Sequence, residues 1–149
     1  MNALSWNYWG IGKPQTVRAL HDMVQRYNPN LVFLIEMKVG TRRMVKVKEK
    51  IGLPNGLIIP SEGRSGGMAL LWIRDMDVEI KSFSSSHIDA IVMDPISGFK
   101  WRMTGFYGNP KTSLRRGSWN LLRHLNSQYQ IPWACLRDFN EILLATKKA

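Results

Sequence analysis

Polar side chains that can bind a metal ion or a phosphate follow three separate apolar stretches of the chain, at the point where each stretch ends. They are Asn7 after the first stretch, Glu36 after the second, and Asp138 with Asn140 after the last. Carboxylate and amide oxygens suit Mg²⁺, which binds one or two protein carboxylates and completes its octahedron with water and substrate oxygens. A metal held in this way stabilises charge that develops on a phosphodiester and orients an attacking water.

Each of these residues also has a plainer interpretation when it is taken alone. Asn is common in turns, and an Asp or Glu at the end of a strand is usually solvated. The segment Tyr107-Gly-Asn-Pro110 has the composition of a turn, although a tyrosine hydroxyl at a strand end can also bond a phosphate oxygen. The repetition at three strand ends is what indicates a site.

The elements that must position these residues begin with two strands and two helices. Alternation over residues 3–7 predicts a half-buried strand that ends at Asn7. Residues 31–35 are apolar on both faces, as in an interior strand covered from both sides, and lead directly into Glu36. Apolar residues at spacings of three and four predict helices over 14–27 and 41–51. The predicted inward residues are Val17, Leu20, Val24 and Tyr27 in the first helix, and Met44, Val47 and Ile51 in the second.

From residue 56 onwards the pattern changes to short strands separated by turn residues, which predicts an antiparallel meander. The predicted strands are 57–60, 68–73, 78–83, 88–93 and 101–107. Gly63-Arg-Ser-Gly-Gly67 and Asp94-Pro-Ile-Ser-Gly98 supply reversals, because Gly and Pro adopt backbone angles that β-branched residues resist. Gly66-Gly67 is interpreted as part of the turn and not as a phosphate loop, since no lysine-bearing helix follows it.

A third helix over 112–125 and a strand over 133–136 complete the series, and that strand ends just before Asp138. The sequence contains no internal repeat, low-complexity tract or linker. These elements together predict a layered α/β fold whose sheet strands are mixed and largely antiparallel.

The charge of the chain indicates its kind of partner. Its 21 Lys and Arg outnumber its 11 Asp and Glu, which gives a formal net charge of +10. Such an excess raises the local concentration of polyanions, so nucleic acid is the expected partner. The basic residues between Arg42 and Lys50 fit a solvated helix face equally well.

The single cysteine and the short apolar stretches indicate an intracellular setting. Cys135 has no second cysteine to pair with and lies in an apolar run, which is typical of a buried thiol. No apolar stretch is long enough to cross a bilayer, and the N-terminus lacks a basic segment followed by an apolar one. We therefore expect neither export nor membrane insertion.

Four segments resemble the endonuclease/exonuclease/phosphatase superfamily in both identity and order. They are Leu4-Ser-Trp-Asn7, Leu34-Ile-Glu-Met-Lys38, Gly105-Phe-Tyr-Gly-Asn-Pro110 and Asp138-Phe-Asn140. Further phrases are similar to the endonuclease domain at the front of plant LINE-type, non-LTR retrotransposon polyproteins. These are Val17-Arg-Ala-Leu20, Gly63-Arg-Ser-Gly-Gly67, His87-Ile-Asp-Ala90 and Ser118-Trp-Asn-Leu-Leu122.

The resemblance implies a partial four-layered, DNase-like α/β sandwich, in which residues 1–149 form the N-terminal portion of one domain whose C-terminal part is missing. It implies Mg²⁺-dependent hydrolysis of DNA phosphodiesters, with Mn²⁺ as an alternative ion, and a nuclear location. DNA is the implied partner; no membrane and no protein partner is predicted. The implied roles are a metal ligand for Glu36, orientation of metal or phosphate for Asn7, activation of water for Asp138, and phosphate binding for Asn140 and Tyr107.

The sequence departs from the family pattern at several of these positions. Arg137 stands where the family has glycine, so bulk and positive charge lie next to the presumed water activator Asp138. Tyr8-Trp9 replaces a Cys-Arg pair and removes a cation, and Met37 replaces a threonine and removes a hydroxyl. The Ser-Asp-His segment of the family's second half is also absent.

None of the three histidines follows a Ser-Asp pair, and a structural or exposed role is the expected one for His21, His87 and His124. We therefore expect weak or no activity from the isolated chain. Two alternatives stay open: a non-catalytic basic module that binds nucleic acid, and a phosphoesterase of the same superfamily that acts on small molecules.

Overall fold

The computed structural model describes residues 3–7, 14–62, 65–107, 131–137 and 142–145. Within these residues the chain forms two helices and nine strands. In chain order they are β1 (Ala3–Asn7), α1 (Pro14–Tyr27), β2 (Leu31–Ile35), α2 (Thr41–Ile51), β3 (Asn55–Glu62), β4 (Ser65–Trp72), β5 (Asp77–Phe83), β6 (His87–Met93), β7 (Lys100–Phe106), β8 (Trp133–Arg137) and β9 (Ile142–Ala145).

The strands form two mixed sheets. The first sheet has the order β1-β2-β4-β3, and the second has the order β5-β6-β7-β8-β9. β1 runs parallel to β2, and β7 runs parallel to β8. The other paired neighbours are antiparallel. The prediction of an α/β fold with mixed, largely antiparallel sheets is therefore confirmed.

The two faces of β2 explain why its sequence is apolar throughout. Val32 and Leu34 face the helices, where they pack with Leu20 of α1 and Met44 of α2. The alternate residues of the same strand pack against the second sheet. The first sheet is thus covered on one side by helices and on the other by the second sheet, which gives three layers in the described part of the chain.

Both predicted helices are present with the expected boundaries. Met44, Val47 and Ile51 of α2 are buried as predicted, and Gly52 ends the helix in the left-handed region with φ 82°. In α1, Leu20 and Val24 are buried as predicted, and the partly buried Val17 packs against the same cluster. The prediction for Tyr27 is wrong, because it is 52% exposed at the last position of the helix, where its ring lies 5.6 Å from the guanidinium carbon of Arg26.

The predicted meander is also wrong in one respect, because its strands divide between two sheets. β3 and β4 pair with each other in the first sheet, whereas β5, β6 and β7 pair in the second. The short connection over 73–76 carries the chain from one sheet to the other, since β4 and β5 are not neighbours in either sheet. The strand β9, which pairs with β8, was not predicted.

The two predicted reversals differ in outcome. Asp94-Pro-Ile-Ser-Gly98 joins β6 to β7 as predicted, with the Asp94 carboxylate accepting a hydrogen bond from Ile96 N at 3.0 Å and Gly98 at φ 72°. The other reversal is shorter than predicted, because Ser61 already pairs with Gly66 in the β3–β4 ladder. The predicted third helix and His124 lie outside the described residues. Neither described helix has the length and apolar character that a membrane span requires.

Candidate metal and phosphate site

The parallel strand pairs bring the predicted site segments together at the edges of their sheets. Asn7 lies opposite Ile35 in the β1–β2 ladder, so the chain leaves both strands at the same edge of the first sheet. Phe106 lies opposite Arg137 in the β7–β8 ladder, so the chain also leaves these two strands side by side. Glu36 and Tyr107 are the first residues after β2 and β7.

The two sheets are aligned so that these edges lie at one end of the sandwich. Asn30, just before β2, lines one cavity together with residues 94–96, which come just before β7. β2 and β7 therefore begin at the same end of the molecule, and their carboxyl ends lie together at the opposite end. The structure thus places Glu36 and Tyr107 at a common end, which we call the site end.

Glu36 is buried in a strained backbone conformation. Glu36 is 6% exposed, and its φ of 61° lies in the left-handed region that residues with a β-carbon rarely occupy. Lys38 repeats this conformation with φ 56°, and Met37 between them is fully buried in the core beneath the helices. Such backbone strain costs about 1–3 kcal/mol per residue and is concentrated at functional sites.

The start of β4 holds this segment in place. Met37 N donates to Gly67 O at 3.2 Å, and Lys38 N donates to Gly66 O at 3.0 Å. Gly67 has φ 90°, and a β-carbon there would lie 3.3 Å from both Lys38 N and Met37 Cβ. Gly66 and Gly67, which the sequence assigned to a turn, therefore hold the segment that carries Glu36 in place through backbone hydrogen bonds.

The replacement of a threonine by Met37 has a clear structural consequence. The Met37 side chain is 0% exposed and packs with the residues between the first sheet and the helices. A hydroxyl at this position would lie in an apolar cluster and not beside the Glu36 carboxylate. The methionine therefore anchors the segment without changing the polar groups of the site end.

Glu36 has a charged neighbour within ion-pair distance in Lys38. Lys38 Nζ lies 3.9 Å from Glu36 Oε2, which is an ion pair but too long for a hydrogen bond. Among the described residues, no group of three or more His, Cys, Asp or Glu side chains is close enough to hold a metal. A buried carboxylate of this kind suits Mg²⁺, because that ion needs only one or two carboxylates and takes its other oxygens from water and substrate.

Tyr107 is attached to both the core and the neighbouring loop. Its N–H donates to Ser86 O at 2.8 Å, and its half-buried ring packs against the cluster between the sheets. The loop from Ser84 to Ser86 is therefore part of the site end. This loop was not singled out by sequence reasoning.

His87 fixes that loop through two serines. Its Nδ1 lies 2.6 Å from Ser84 Oγ and its Nε2 lies 2.9 Å from Ser82 Oγ. Burial lowers the pKa of His87 below its ordinary value, and the negative charge of Asp89 partly opposes that shift. The arrangement agrees with the structural role predicted for His87.

A buried polar network next to this loop was missed by the sequence analysis. Asp89 accepts hydrogen bonds from Arg102 Nε at 2.8 Å, from Arg102 Nη2 at 2.9 Å and from Thr104 Oγ1 at 2.8 Å. Trp133 Nε1 donates to Thr104 Oγ1 at 2.8 Å. The sequence does contain a signal, because Asp89 and Arg102 each lie within an apolar strand. Only the register of β6 against β7 shows that the two are partners.

The remaining predicted site residues are described only in part. The backbone of Asn7 ends β1 at the site end, but its side chain is not among the described ones. The same holds for Arg137 at the end of β8. Asp138 and Asn140 lie outside the described residues, so their roles stay predictions. His21 lies on α1 with its side chain 39% exposed and Nδ1 3.8 Å from Asp22 Oδ1.

Comparison with known proteins shows which solved structures share this fold. No protein-family model and no curated protein sequence matches the chain. Among solved structures, the human Nocturnin catalytic domain with bound sulfate matches with a TM-score of 0.65 at 13% identity, over 91% of this chain and 62% of that one. The Neisseria 3′ phosphatase NExo bound to a product DNA hairpin matches with a TM-score of 0.64 at 15% identity, over 92% of this chain and 57% of that one.

An endonuclease/exonuclease/phosphatase family protein from Bacteroides thetaiotaomicron matches with a TM-score of 0.67 at 12% identity, over 92% of this chain and 62% of that one. The chain thus spans less than two thirds of the length of each of these proteins. At these identities the likeness concerns the backbone architecture. The chain therefore has the α/β fold of the endonuclease/exonuclease/phosphatase proteins.

Proposed function

We propose that residues 1–149 are the N-terminal portion of a Mg²⁺-dependent DNA endonuclease domain of LINE-type retrotransposon origin. The observation that carries this proposal is Glu36, a buried carboxylate held in a left-handed backbone at the site end. Stability alone gives no reason for a charged residue in that conformation, whereas a metal ligand must be held rigidly. The four resembling segments and the shared fold support the same function.

In this proposal each site residue has one task. Glu36 holds Mg²⁺, or Mn²⁺ in its place, and Asn7 orients the metal or the phosphate. A metal held there would supply neutralisation of charge on the phosphodiester. Asp138 orients the attacking water and accepts its proton as the bond to the leaving oxygen breaks. Asn140 and Tyr107 hold the phosphate and its developing charge.

We propose further that the isolated chain has weak or no activity. Arg137 ends β8 directly before Asp138 in the sequence, at a position where the resemblance implies glycine, so it adds bulk and a positive charge to the segment that carries the proposed water activator. The 149 residues also contain no Ser-Asp-His segment to supply a histidine for the phosphate. A location in the nucleus, where DNA is available, belongs to the same proposal.

Two measurements on the purified chain test this function. Supercoiled plasmid incubated with Mg²⁺ or Mn²⁺ is expected to show no more nicking than with Glu36→Ala; nicking that Glu36→Ala abolishes would overturn the claim of inactivity. Mn²⁺ is expected to broaden the backbone amide signals of Met37 and Lys38 in NMR spectra, and Glu36→Gln is expected to remove the effect. Equal broadening in both proteins would exclude the metal site.

A second candidate function is a basic module that binds nucleic acid without chemistry, and the net charge of +10 favours it. It predicts DNA binding that weakens steeply with salt but is unchanged by Glu36→Gln or by a chelator. The third reading, a phosphoesterase for small molecules, predicts hydrolysis of small phosphomonoesters in preference to DNA. Assays with both substrate classes in parallel separate it from the first two.

A further inference from the structure

A groove with a basic rim lies between the start of α1 and the side of α2. Its volume is about 550 Å³, which is within the size range of ligand sites. Its floor is apolar and its rim is cationic. The floor residues are Pro14, Val17 and Val47, and the rim residues are Arg42, Arg43, Lys46 and Lys50.

The rim residues are arranged unfavourably for the folded chain alone. Arg42, Lys46 and Lys50 follow one another at intervals of four residues, so they lie in one row on the helix. Like charges at this spacing repel each other. All three are exposed, and none has a carboxylate within ion-pair distance among the described residues.

The amino terminus of α2 adds to this excess of positive charge. Its first turn contains Arg42 and Arg43 and no acidic residue. Backbone N–H groups already make the amino end of a helix positive, so cations there are unfavourable and an anion is favoured. A bound polyanion relieves both the repulsion within the row and the unfavourable position of these cations.

The groove is lined from the amino ends of both helices, at Pro14 and Arg42. α2 begins at Thr41, only five positions after Glu36, and α1 is the next described element after β1, whose last residue lies at the site end. The row from Arg42 to Lys50 therefore starts near Glu36 and leads away from it. A ligand in the groove lies next to whatever occupies the site end.

We propose that this groove binds the phosphodiester backbone of DNA on one side of the bond presented to Glu36. The proposal rests on the function proposed above for its choice of DNA. The eight steps along the helix from Arg42 to Lys50 span about 12 Å at ~1.5 Å each. That length matches about three phosphates of one strand, which follow each other every ~3.4 Å along the duplex axis.

The structure also distinguishes the basic residues that line the groove from those that do not, which the sequence alone could not do. Lys48 lies on the same helix but is half-buried and does not line the groove. Arg74 and Lys100 are exposed near the opposite end of the sandwich, beside the connections over 73–76 and 94–99. Arg74 and Lys100 together supply a control variant with the same change of net charge as a double groove variant, and Lys48 supplies a single-charge control on the same helix.

The test is a salt titration of DNA binding, followed by fluorescence anisotropy of a labelled duplex. For Arg42→Ala/Lys46→Ala the slope of log K against log salt is expected to become shallower by about 2, since each lost phosphate contact removes about 0.9. Arg74→Ala/Lys100→Ala is expected to keep the wild-type slope, and Lys48→Ala likewise. Equal changes in the groove and control variants would overturn the proposal.

Two further readouts sharpen the result. The melting temperature of Arg42→Ala/Lys46→Ala is expected to equal or exceed that of the wild type, because alanine favours helix and the repulsion is removed. A lower melting temperature together with weaker binding would mean that the variant has lost structure. The single variant Lys46→Gln then tests the groove: a wild-type salt slope in it would overturn the proposal. Competition by polyglutamate as strong as that by DNA would show a general polyanion surface and overturn the choice of DNA.

The outcomes distinguish this proposal from the metal site. Mn²⁺ broadening at Met37 with no groove-specific loss of binding refutes the groove alone. Groove-specific loss of DNA binding without Mn²⁺ broadening refutes the metal site alone. Wild-type protein that binds no DNA at low salt refutes the groove whatever the metal does.

Discussion

The ring of Phe33 on β2 fills the space beside Gly105 on β7 that a β-carbon would occupy. The two sheets therefore touch at this point without an intervening side chain on the second sheet. Phe33 lies three residues before Glu36, and Gly105 lies two residues before Tyr107. This contact fixes how far apart the two sheets stand at the site end.

Gly105→Ala is expected to destabilise the protein, because the new methyl group would overlap the Phe33 ring. Overpacking of a core typically costs about 1–3 kcal/mol, and the loss is measured as a lower free energy of unfolding in urea. Phe33→Leu in the same chain is expected to recover part of the loss, so the double variant should be more stable than the sum of the single changes predicts. Wild-type stability in Gly105→Ala would show that the sheets can separate without penalty.

Substitutions at Glu36 are expected to rank by their tolerance of the left-handed backbone and not by helix or strand propensity. With φ at 61°, the free energy of unfolding should fall in the order Asn, Ala, Val. The left-handed conformation costs a residue with a β-carbon about 1–2 kcal/mol, and Asn is the residue that best offsets it by local hydrogen bonds. Chemical denaturation measures the order.

The same three substitutions at Glu49 provide the control for that series. Glu49 is exposed within α2, where ordinary helix propensity applies and Ala should be the most stable of the three. An identical order at the two positions would contradict the strained backbone at Glu36. The Mn²⁺ effect on Met37 is expected to disappear in every Glu36 variant, whatever its stability.

The sequence predicted those elements whose pattern depends on local periodicity. The row of buried residues in α2 and the doubly covered strand Leu31–Ile35 follow from spacing alone. Division of the predicted meander between two sheets does not, because a strand alternates in the same way whether the next strand lies beside it or in the opposite layer. β9 was not predicted because its four residues are apolar throughout, and such a run does not distinguish a strand from a segment of buried helix.

The candidate site was predictable to a different degree. Placement of Glu36 and Tyr107 at one end follows from their positions after apolar strands, once the strands are known to run in the same direction. The strain at Glu36 and its clamping by Gly67 depend on a hydrogen bond between distant segments, which no local pattern encodes. Pairing of Asp89 with Arg102 likewise depends on register, which sequence spacing does not fix.

His87 is expected to make stability fall in mild acid. Burial lowers its pKa in the folded state below the ordinary value of 6.5, so the unfolded chain binds a proton first as the pH falls. The contribution of His87 is therefore fully present above about pH 6.5, and it is lost progressively as the pH falls toward the lowered folded-state pKa. Urea unfolding at a series of pH values measures this slope.

The variants for that series are His87→Gln and, as a matched control, His21→Gln. His87→Gln has no imidazole to protonate, so its stability should depend less on pH below about 6.5 than that of the wild type. His21→Gln controls for the loss of a histidine outside the core, since the His21 side chain is 39% exposed on α1. A wild-type slope in His87→Gln would show that another group causes the acid sensitivity.

Asp89 and Arg102 are expected to show strong coupling in a double-mutant cycle. Their side chains are 0% and 1% exposed, so removal of either partner leaves a charge in the core. Breaking a buried ion pair in this way typically costs about 3–5 kcal/mol, whereas replacing both partners by apolar residues is often nearly neutral. Asp89→Leu and Arg102→Met should therefore each lower the free energy of unfolding strongly. The double variant should lose much less than the sum of the two single losses.

The network matters for the site because it joins β6, which begins at the site end, to β7 and β8, which end there. Asp89 lies on β6, Arg102 and Thr104 lie on β7, and Trp133 lies on β8 with its ring 4.9 Å from the Arg102 guanidinium. In Asp89→Asn, a milder change, the amide signals of Ser86 and Tyr107 are expected to shift although the chain remains folded. Strictly additive energies in the cycle would show that Asp89 and Arg102 are not coupled. Signals confined to the immediate neighbours of residue 89 would show that the network stabilises the sheet without positioning Tyr107.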